Sequence, residues 1–272
     1  MMDVAPLQPR VFALGEEIHI WSVQLRGSDE HVARCSVAAS VQESQRAEQF
    51  RFQHLRRAFL LAHGSARALL AQYLGISGAD IEFKYKPRGK PYIGSPHTNL
   101  CFNQSHSGEM AVFAFAAGCE VGVDVEAVHS LPDMDDLAAH FFSREEAADL
   151  FSMPIGSRDQ AFFAAWTRKE AYIKAVGDGL HIPLDSFRVT LLPGEDARLV
   201  HIGGDAQAAG AWRMHAFHPA EGYLGALAYA GRRRNVRLFP AMEASDLLDS
   251  PAVKRASHCR ERETEDIGEI PG

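Results

Sequence analysis

The chain has 272 residues, of which 46% are hydrophobic and 23% charged, a composition typical of a globular protein of about two small domains. No stretch reaches the about 18 uninterrupted apolar residues that a membrane span needs, and the first residues lack the pattern of a secretory signal. The four cysteines form no C-x-x-C pair, which favours a reduced, cytoplasmic protein. These features exclude general disorder, collagen-like repeats and a disulfide-rich miniprotein.

The net charge of −7 is distributed unevenly along the chain. Residues 1–118 carry a net charge of +2, residues 119–240 of −5 and residues 241–272 of −4. This gradient suits a ligand with phosphates at one end and a metal at the other, although ordinary surface variation also produces it. The chain lacks the excess of positive charge that would indicate a nucleic-acid partner.

The first half has the pattern of one α/β unit. Alternating apolar residues around Trp21 predict a strand, and the spacing of apolar residues from about Ser40 to Leu74 predicts helical structure that ends at Gly75. Three further strands are predicted over Ile81–Lys84, Leu100–Asn103 and Met110–Ala117.

The second half repeats this order. It begins with an alternating strand over Val121–Glu126, followed by short helices near 133–140 and 143–151 and a longer helix over Arg158–Val176. Ser143, with Glu146 three residues later, predicts an N-cap, and Gly177 ends the long helix. The remaining predicted strands are Phe187–Leu192, Trp212–Phe217 and Tyr223–Tyr229.

A shift of 103 residues superposes the two halves in register, laying Ile18–Val23 on Val121–Glu126 and Arg57–Tyr73 on Gln160–Val176. The sequence therefore predicts an α/β (α+β) fold, a pseudo-dimer of two similar subdomains, each a strand, helices and three antiparallel strands. The subdomains span 1–118 and 119–240, and the charged segment 241–272 is predicted to be a flexible tail. A pocket is expected where the subdomains meet.

Acidic residues mark the second half. In Gly122–Glu126, strand geometry places Asp124 and Glu126 on one face, about 7 Å apart along the chain, an arrangement that suits Mg²⁺. A solvated acidic face is the alternative. Glu170 and Lys174, four residues apart on the long helix, lie on one helix face, where Glu170 can add a third carboxylate and Lys174 can reach phosphate. An exposed ion pair is the alternative here.

Candidate anion contacts lie in the first half. The stretch Asn103–Ser107 is predicted to end a strand, and the side chains of Ser105 and His106 can both hydrogen-bond to phosphate. A rigid basic loop spans Lys84–Pro91, and a further basic group contains Arg46, Arg51, Arg56 and Arg57. A turn histidine and solvated surface charges are the alternatives for these residues.

Together the motifs resemble those of 4'-phosphopantetheinyl transferases of the surfactin-synthetase-activating (Sfp) type. They are N-x-S-H-S at Asn103–Ser107, G-x-D-x-E at Gly122–Glu126 and W-x-x-K-E-x-x-x-K at Trp166–Lys174, in the family's order and spacing. Shorter matches occur at Gly89-Lys90-Pro91, at Phe141-Phe142-Ser143 and around Pro183. The resemblance implies a pseudo-dimeric enzyme that transfers the phosphopantetheine arm of coenzyme A to a serine of an acyl or peptidyl carrier protein.

The resemblance also implies residue roles. Asp124, Glu126 and Glu170 would hold Mg²⁺ or Mn²⁺, and Glu170, Lys174 and His106 would be catalytic. Glu170 or a metal-bound water would be the base. Contacts to coenzyme A, the co-substrate, are expected from Arg57, Lys90, Pro91, Ser105, His106, Lys169 and Lys174.

One stretch departs from the family pattern, because Gln45–Glu48 lacks the lysines that hold the 3'-phosphate in many members. Arg46 or Arg51 can substitute for them. A patch of Arg144, Arg158 and Arg168 is expected to dock the carrier, and the chain is expected to be a monomer without membrane contact. Two alternative functions are a Mg²⁺-dependent nucleotide or coenzyme A hydrolase and a non-catalytic coenzyme A or carrier-binding module.

Overall fold

In a computed structural model of the chain, residues 14–177, 182–250 and 253 are described. The elements of the first half are β1 (Ile18–Gln24), α1 (Asp29–Ala38), α2 (Val41–Glu48), α3 (Gln53–Leu74), β2 (Glu82–Tyr85), β3 (Pro91–Ser95), β4 (Leu100–Ser107) and β5 (Met110–Ala117). The second half contains β6 (Val121–Ala127), α4 (Met134–Phe141), α5 (Arg144–Ser152), α6 (Ile155–Val176), β7 (Phe187–Val189), β8 (Leu199–Ile202), α7 (Ala206–Gly210), β9 (Trp212–Phe217) and β10 (Tyr223–Ala230). The chain then forms β11 (Val236–Leu238), β12 (Met242–Glu243) and α8 (Ala244–Leu248).

The two main sheets have matching antiparallel cores. In the first sheet β5 lies between β1 and β4, and in the second β10 lies between β6 and β9. The registers agree, since Ile18 of β1 is opposite Ala116 and Val121 of β6 is opposite Tyr229. The predicted α+β fold with two similar units is confirmed.

Each half has one long helix packed on its sheet. Both α3 and α6 have 22 residues and end at a glycine in the left-handed region, Gly75 at φ 69° and Gly177 at φ 83°. Only glycine adopts this conformation without strain, which explains why both sequence stops were correctly predicted. The helices bury their apolar sides in two separate cores.

A third apolar cluster joins the halves. It combines buried residues of β1 and β5 with the valines of β6 and with Leu227 and Tyr229 of β10. Beside it, Asn103 of β4 accepts a hydrogen bond at its Oδ1 from the backbone N–H of Val123, at 2.8 Å. The end of β4 therefore lies directly against β6.

The stretch predicted as helical from Ser40 to Leu74 is two helices, α2 and α3. Ser40 caps α2 by accepting from the N–H of Glu43, and the extended backbone of Phe52 (φ −103°, ψ 131°) separates the two helices. Helix α1 and strands β3 and β8 were not predicted, because they are short or rich in polar residues.

The predicted flexible tail requires a correction over 241–250. Strand β12 pairs in parallel with β1, and α8 buries Ala244, Leu247 and Leu248 in the core of the first half. These few apolar residues gain their partners only through tertiary contact. Residues 251–252 and 254–272, the rest of that prediction, lie outside the described residues.

Candidate active site

Side chains from β4, β6 and α6 meet where the two halves join. Asp124 of β6 is 2% exposed, and its Oδ1 accepts hydrogen bonds from Ser105 Oγ at 2.7 Å and Lys174 Nζ at 2.6 Å. Lys174 Nζ also donates to Ser105 Oγ, at 2.9 Å. Residues that are far apart in sequence thus form one polar cluster.

Gly122 makes this meeting possible. A Cβ at Gly122 would lie 2.1 Å from the carbonyl oxygen of Ala171 and 2.2 Å from the amide nitrogen of Ala175. Only a residue without a side chain therefore allows the backbone of α6 to approach β6 this closely. The close approach brings Lys174 within hydrogen-bond distance of Asp124.

The other two predicted carboxylates share this environment. Glu126 Oε2 accepts from Ser107 Oγ at 2.7 Å, and burial, followed by the charge of Asp124, raises the pKa of Glu126 to about 7. Burial also raises the pKa of Glu170, which Lys174 lowers and Asp124 raises further. The negative charge of Asp124 raises the pKa of both carboxyl groups, so a cation bound between the three side chains would stabilise their ionised forms.

The chemistry of these donors fits a hard divalent cation. Asp124 Oδ2 is buried and has no hydrogen-bond partner, an expensive state for an ionised oxygen unless something binds it. Mg²⁺ prefers oxygen ligands such as carboxylates. A bound cation would also relieve the repulsion between these neighbouring negative charges. Within the ranges that the structure describes, no three such side chains are already arranged as metal ligands.

A cleft of about 650 Å³ opens beside this cluster and lies mostly in the first half. Pro91, Ser105, His106 and Lys174, all predicted to contact a ligand, line it. Desolvation in the cleft lowers the pKa of His106 to about 4, with smaller contributions from His63, Lys174 and Arg46. The residue nonetheless keeps an exposed surface in the cleft lining. His106 is therefore a neutral hydrogen-bonding group at pH 7.

Three predicted ligand contacts lie elsewhere. The prediction for Lys169 is wrong, because its Nζ is fully buried against Glu146 Oε2 at 2.7 Å and the carbonyl oxygens of Leu184 and Phe187. Lys90 is buried as well, and its Nζ donates to Glu120 Oε2 and to two backbone carbonyl oxygens of the second half.

Arg57 is the third correction. It pairs with Asp29 and donates to the carbonyl oxygen of Gly27, and it lines a separate hollow between α1 and α3 together with Arg51 and Arg56. Of the arginines considered for the 3'-phosphate, only Arg46 lines the main cleft. Arg168, expected to dock the carrier, is buried and bonded to Thr190.

Sequence reasoning missed several residues of the cleft wall, notably Glu43, Phe59 and His63. Phe59, His63 and Arg67 are four residues apart along α3, a spacing that places them on one helix face. No local motif connects them with Glu43, twenty residues before His63, so only the packing of α2 on α3 could reveal the group.

Two family models match the chain. The model described as 4'-phosphopantetheinyl transferase, N-terminal, matches residues 27–118, and that of the 4'-phosphopantetheinyl transferase superfamily matches residues 120–228. The two matches meet at the boundary between the halves.

Individual proteins also match. The 4'-phosphopantetheinyl transferase HetI of Nostoc sp. is 34% identical over 228 residues, covering 83% of this chain and 93% of HetI. The 4'-phosphopantetheinyl transferase ffp of Bacillus subtilis is 33% identical, covering 63% of this chain and 74% of ffp. The crystal structure of Thermotoga maritima holo-[acyl-carrier-protein] synthase has 22% identity and a TM-score of 0.33, covering 42% of this chain and 64% of that one.

The two-part α+β fold brings carboxylates and a lysine together beside a cleft lined by basic side chains, an arrangement that suits a phosphate-containing ligand. The matches show the family, for the chain belongs to the 4'-phosphopantetheinyl transferase superfamily. The resemblance in the sequence motifs is thereby confirmed. None of the described helices is long and apolar enough to cross a membrane.

Proposed function

We propose that this transferase moves the phosphopantetheine arm of coenzyme A to a serine of an apo acyl or peptidyl carrier protein, releases 3',5'-ADP and requires Mg²⁺ or Mn²⁺. The observation that carries this proposal is the hydrogen-bonded cluster of Asp124, Lys174 and Ser105, with which Glu170 interacts electrostatically, beside the cleft that Ser105 and Lys174 line. The cleft takes the nucleotide, and the cluster takes the diphosphate.

Asp124, Glu126 and Glu170 would hold the metal. When bound, the metal screens the charge of the diphosphate, which otherwise repels an incoming hydroxyl. The unpartnered Oδ2 of Asp124 and the raised pKa of Glu126 and Glu170 support this assignment.

Lys174 and Ser105 orient the reacting diphosphate. The bond from the pantetheine phosphorus to the bridging oxygen breaks, a bond from that phosphorus to the serine Oγ forms, and 3',5'-ADP leaves with the bridging oxygen. Lys174 supplies positive charge where negative charge grows on the leaving group. His106, neutral at pH 7, offers a hydrogen bond from the cleft wall.

The serine proton needs an acceptor. Glu170 is our candidate, through a carboxylate oxygen that the metal would leave free; burial raises the pKa of its carboxyl group, and a bound cation would lower it. The neighbouring Lys174 lowers that pKa and keeps Glu170 able to ionise.

We also propose that the protein acts as a monomer in the cytoplasm. Both walls of the cleft come from one chain, since Ser105 and His106 belong to the first half and Lys174 to the second. A monomer therefore completes the site. Cys35, Cys101 and Cys119 are free thiols, which agrees with a cytoplasmic location.

Mass measurement of apo carrier proteins after incubation with coenzyme A tests the proposal. The expected result is a gain of one phosphopantetheine on at least one carrier with Mg²⁺ or Mn²⁺ and none with a chelator. Glu170→Ala should lower the rate by about a thousandfold or more, equivalent to about 4 kcal/mol, with the fold intact by circular dichroism. Asp159→Asn, on the same helix, is the control and should keep the normal rate.

Other outcomes separate the alternatives. A hydrolase would release phosphopantetheine from coenzyme A without any carrier. A binding module would bind coenzyme A and leave every carrier unmodified. Near-normal transfer by Glu170→Ala would remove this residue from the mechanism.

A further inference from the structure

One edge of β6 faces the first half of the molecule. Within the described chain β6 forms a ladder with β10 alone, so its other edge has no partner strand. Side chains of β4 take the place of that strand. The backbone N–H of Val123 donates to Asn103 Oδ1 at 2.8 Å, and the backbone N–H of Ala127 donates to Ser107 Oγ at 3.2 Å.

The two contacts have the same register. In each, the side-chain acceptor on β4 receives the N–H group of the residue twenty positions later in the sequence. Asn103 and Ser107 are separated by an even number of residues, so they project from the same side of β4. A slip of β6 along β4 by one residue would break both bonds, and together they therefore fix the position of β6.

Two of the three proposed metal ligands lie between these fixed points. Ser105, midway between Asn103 and Ser107, donates through its Oγ to Asp124 Oδ1 at 2.7 Å. Ser107 Oγ donates to Glu126 Oε2, also at 2.7 Å. The alternate residues of β4 thus contact both the backbone and the carboxylates of β6.

The hydroxyl of Ser107 is engaged as donor and as acceptor at the same time. A hydroxyl has one hydrogen and two lone pairs. The N–H of Ala127 points at one lone pair, and the single hydrogen is directed to the carboxylate of Glu126. Ser107 is not among the described residues that line the main cleft, so its effect on the site must pass through Glu126.

We propose that Asn103 and Ser107 are positioning residues of the transfer reaction, which hold β6 against β4 and so keep the carboxylates of Glu126 and Asp124 in place for a divalent cation. The inference rests on the proposed function, because it concerns the metal ligands named there. Groups that hydrogen-bond to a metal ligand typically change metal affinity or activity tenfold to about a hundredfold when they are removed. The first half thus contributes to metal binding without supplying a ligand.

Titration of Mn²⁺ into the protein without carrier, with and without coenzyme A, tests the role of Ser107 by electron paramagnetic resonance. Ser107→Ala should weaken Mn²⁺ binding about tenfold, because the carboxylate of Glu126 loses this donor and can rotate. Ser107→Thr keeps a hydroxyl and should stay within about threefold of the wild type. Ser152→Ala is the matched control, since the exposed Ser152 donates to the carbonyl oxygen of Asp149 on α5, and its Mn²⁺ affinity should be normal. Wild-type affinity in Ser107→Ala would overturn the proposal for Ser107.

Kinetics separate positioning of the metal ligands from a general loss of structure. At limiting Mn²⁺, transfer by Ser107→Ala should be about tenfold slower than in the wild type, and excess Mn²⁺ should restore most of the rate. The KM for coenzyme A at saturating Mn²⁺ should change by less than about twofold, because Ser107 is outside the cleft lining. A rate that excess Mn²⁺ does not restore would contradict a role in positioning metal ligands.

Asn103→Ala tests the other fixed point. Asn103 contacts the backbone of β6 at Val123, so its loss should weaken Mn²⁺ binding less than that of Ser107, by about threefold. It should also speed hydrogen exchange of the Val123 amide about tenfold or more, measured by nuclear magnetic resonance. Normal exchange and normal Mn²⁺ affinity in this variant would overturn the assignment of Asn103.

The wild-type protein provides a test that does not depend on the folding of any variant. The amides of Val123 and Ala127 should both be protected from exchange, and rapid exchange of both would contradict the fixed register. Wild-type protein that neither binds Mn²⁺ nor modifies a carrier would contradict the proposed function. Wild-type protein that does both, with normal Mn²⁺ binding in Ser107→Ala and Asn103→Ala, would contradict only this inference.

Discussion

Strands β1 and β6 occupy equivalent places in the two halves, yet the faces that they turn toward α3 and α6 differ in chemistry. On β1 this face packs against the helix, where His19 Nδ1 and Trp21 Nε1 contact the hydroxyl of Tyr73 at 2.8 and 2.9 Å. On β6 the same positions hold polar or small residues. The equivalent pairs are His19 and Gly122, Trp21 and Asp124, and Val23 and Glu126.

The difference shows how one α/β unit can serve two purposes. In the first half the strand–helix layer is closed by aromatic packing, and the ring of Trp21 also stacks on Phe239 with centroids 3.8 Å apart. In the second half the strand face carries carboxylates, and a glycine draws the helix close enough to supply Lys174. The first unit supplies an aromatic strand–helix layer and most of the cleft lining, and the second supplies the acidic side chains.

The largest expected effect on stability is at Trp21, in the aromatic layer between β1 and α3. Trp21→Ala removes a buried indole, its stacking on Phe239 and its bond to Tyr73, so the free energy of unfolding should fall by about 3–5 kcal/mol. Urea unfolding followed by circular dichroism measures this change.

Asp124→Asn at the equivalent position is the informative contrast. It should change the free energy of unfolding much less, because the lost pairing with Lys174 is offset by reduced repulsion from Glu126, while transfer to a carrier is abolished. A large stability loss for Asp124→Asn with retained transfer would invalidate the comparison.

A smaller effect is expected where the second helix meets its strand. Gly122→Ala places a Cβ against backbone atoms of Ala171 and Ala175, so α6 must shift, at a cost of about 1–3 kcal/mol. The shift should also lower kcat by moving Lys174. Gly156→Ala, on the same helix with nothing within 4 Å of the new Cβ, should be neutral or slightly stabilising. Equal stability of both variants would show that the close approach is not required.

The smallest effect concerns acid stability of the first half. Burial lowers the pKa of His19, although the bond to Glu17 opposes this, so the folded state resists protonation of the ring. Below pH 6.5 the unfolded chain takes up the proton first, and stability should fall as the pH drops further toward the lowered pKa of His19.

His19→Gln should flatten that pH dependence, measured as the free energy of unfolding between pH 7 and 5. His97→Gln, at an exposed position, should leave the slope as in the wild type. An unchanged slope for His19→Gln would mean that other groups cause the acid sensitivity.

Much of the fold could be predicted because its signals are local. The helix stops at Gly75 and Gly177, the capping box of Ser143 and Glu146 and the alternation over β6 each depend on residues close together in sequence. The 103-residue repeat predicted two units. The structure agrees, since β1 and β6 take the same register against β5 and β10.

Among the candidate site residues, the sequence alone grouped Asp124 with Glu126 and Glu170 with Lys174, because strand and helix periods determine which side chains share a face. The direction of Lys169, Lys90 and Arg57 was decided by tertiary structure. Each can reach several partners with a long flexible side chain, and the choice depends on acids and carbonyl oxygens brought from distant segments. The contact between Glu43 and His63 in the cleft wall and the return of α8 to the first half have the same origin, since buried partners far apart in sequence leave no local pattern.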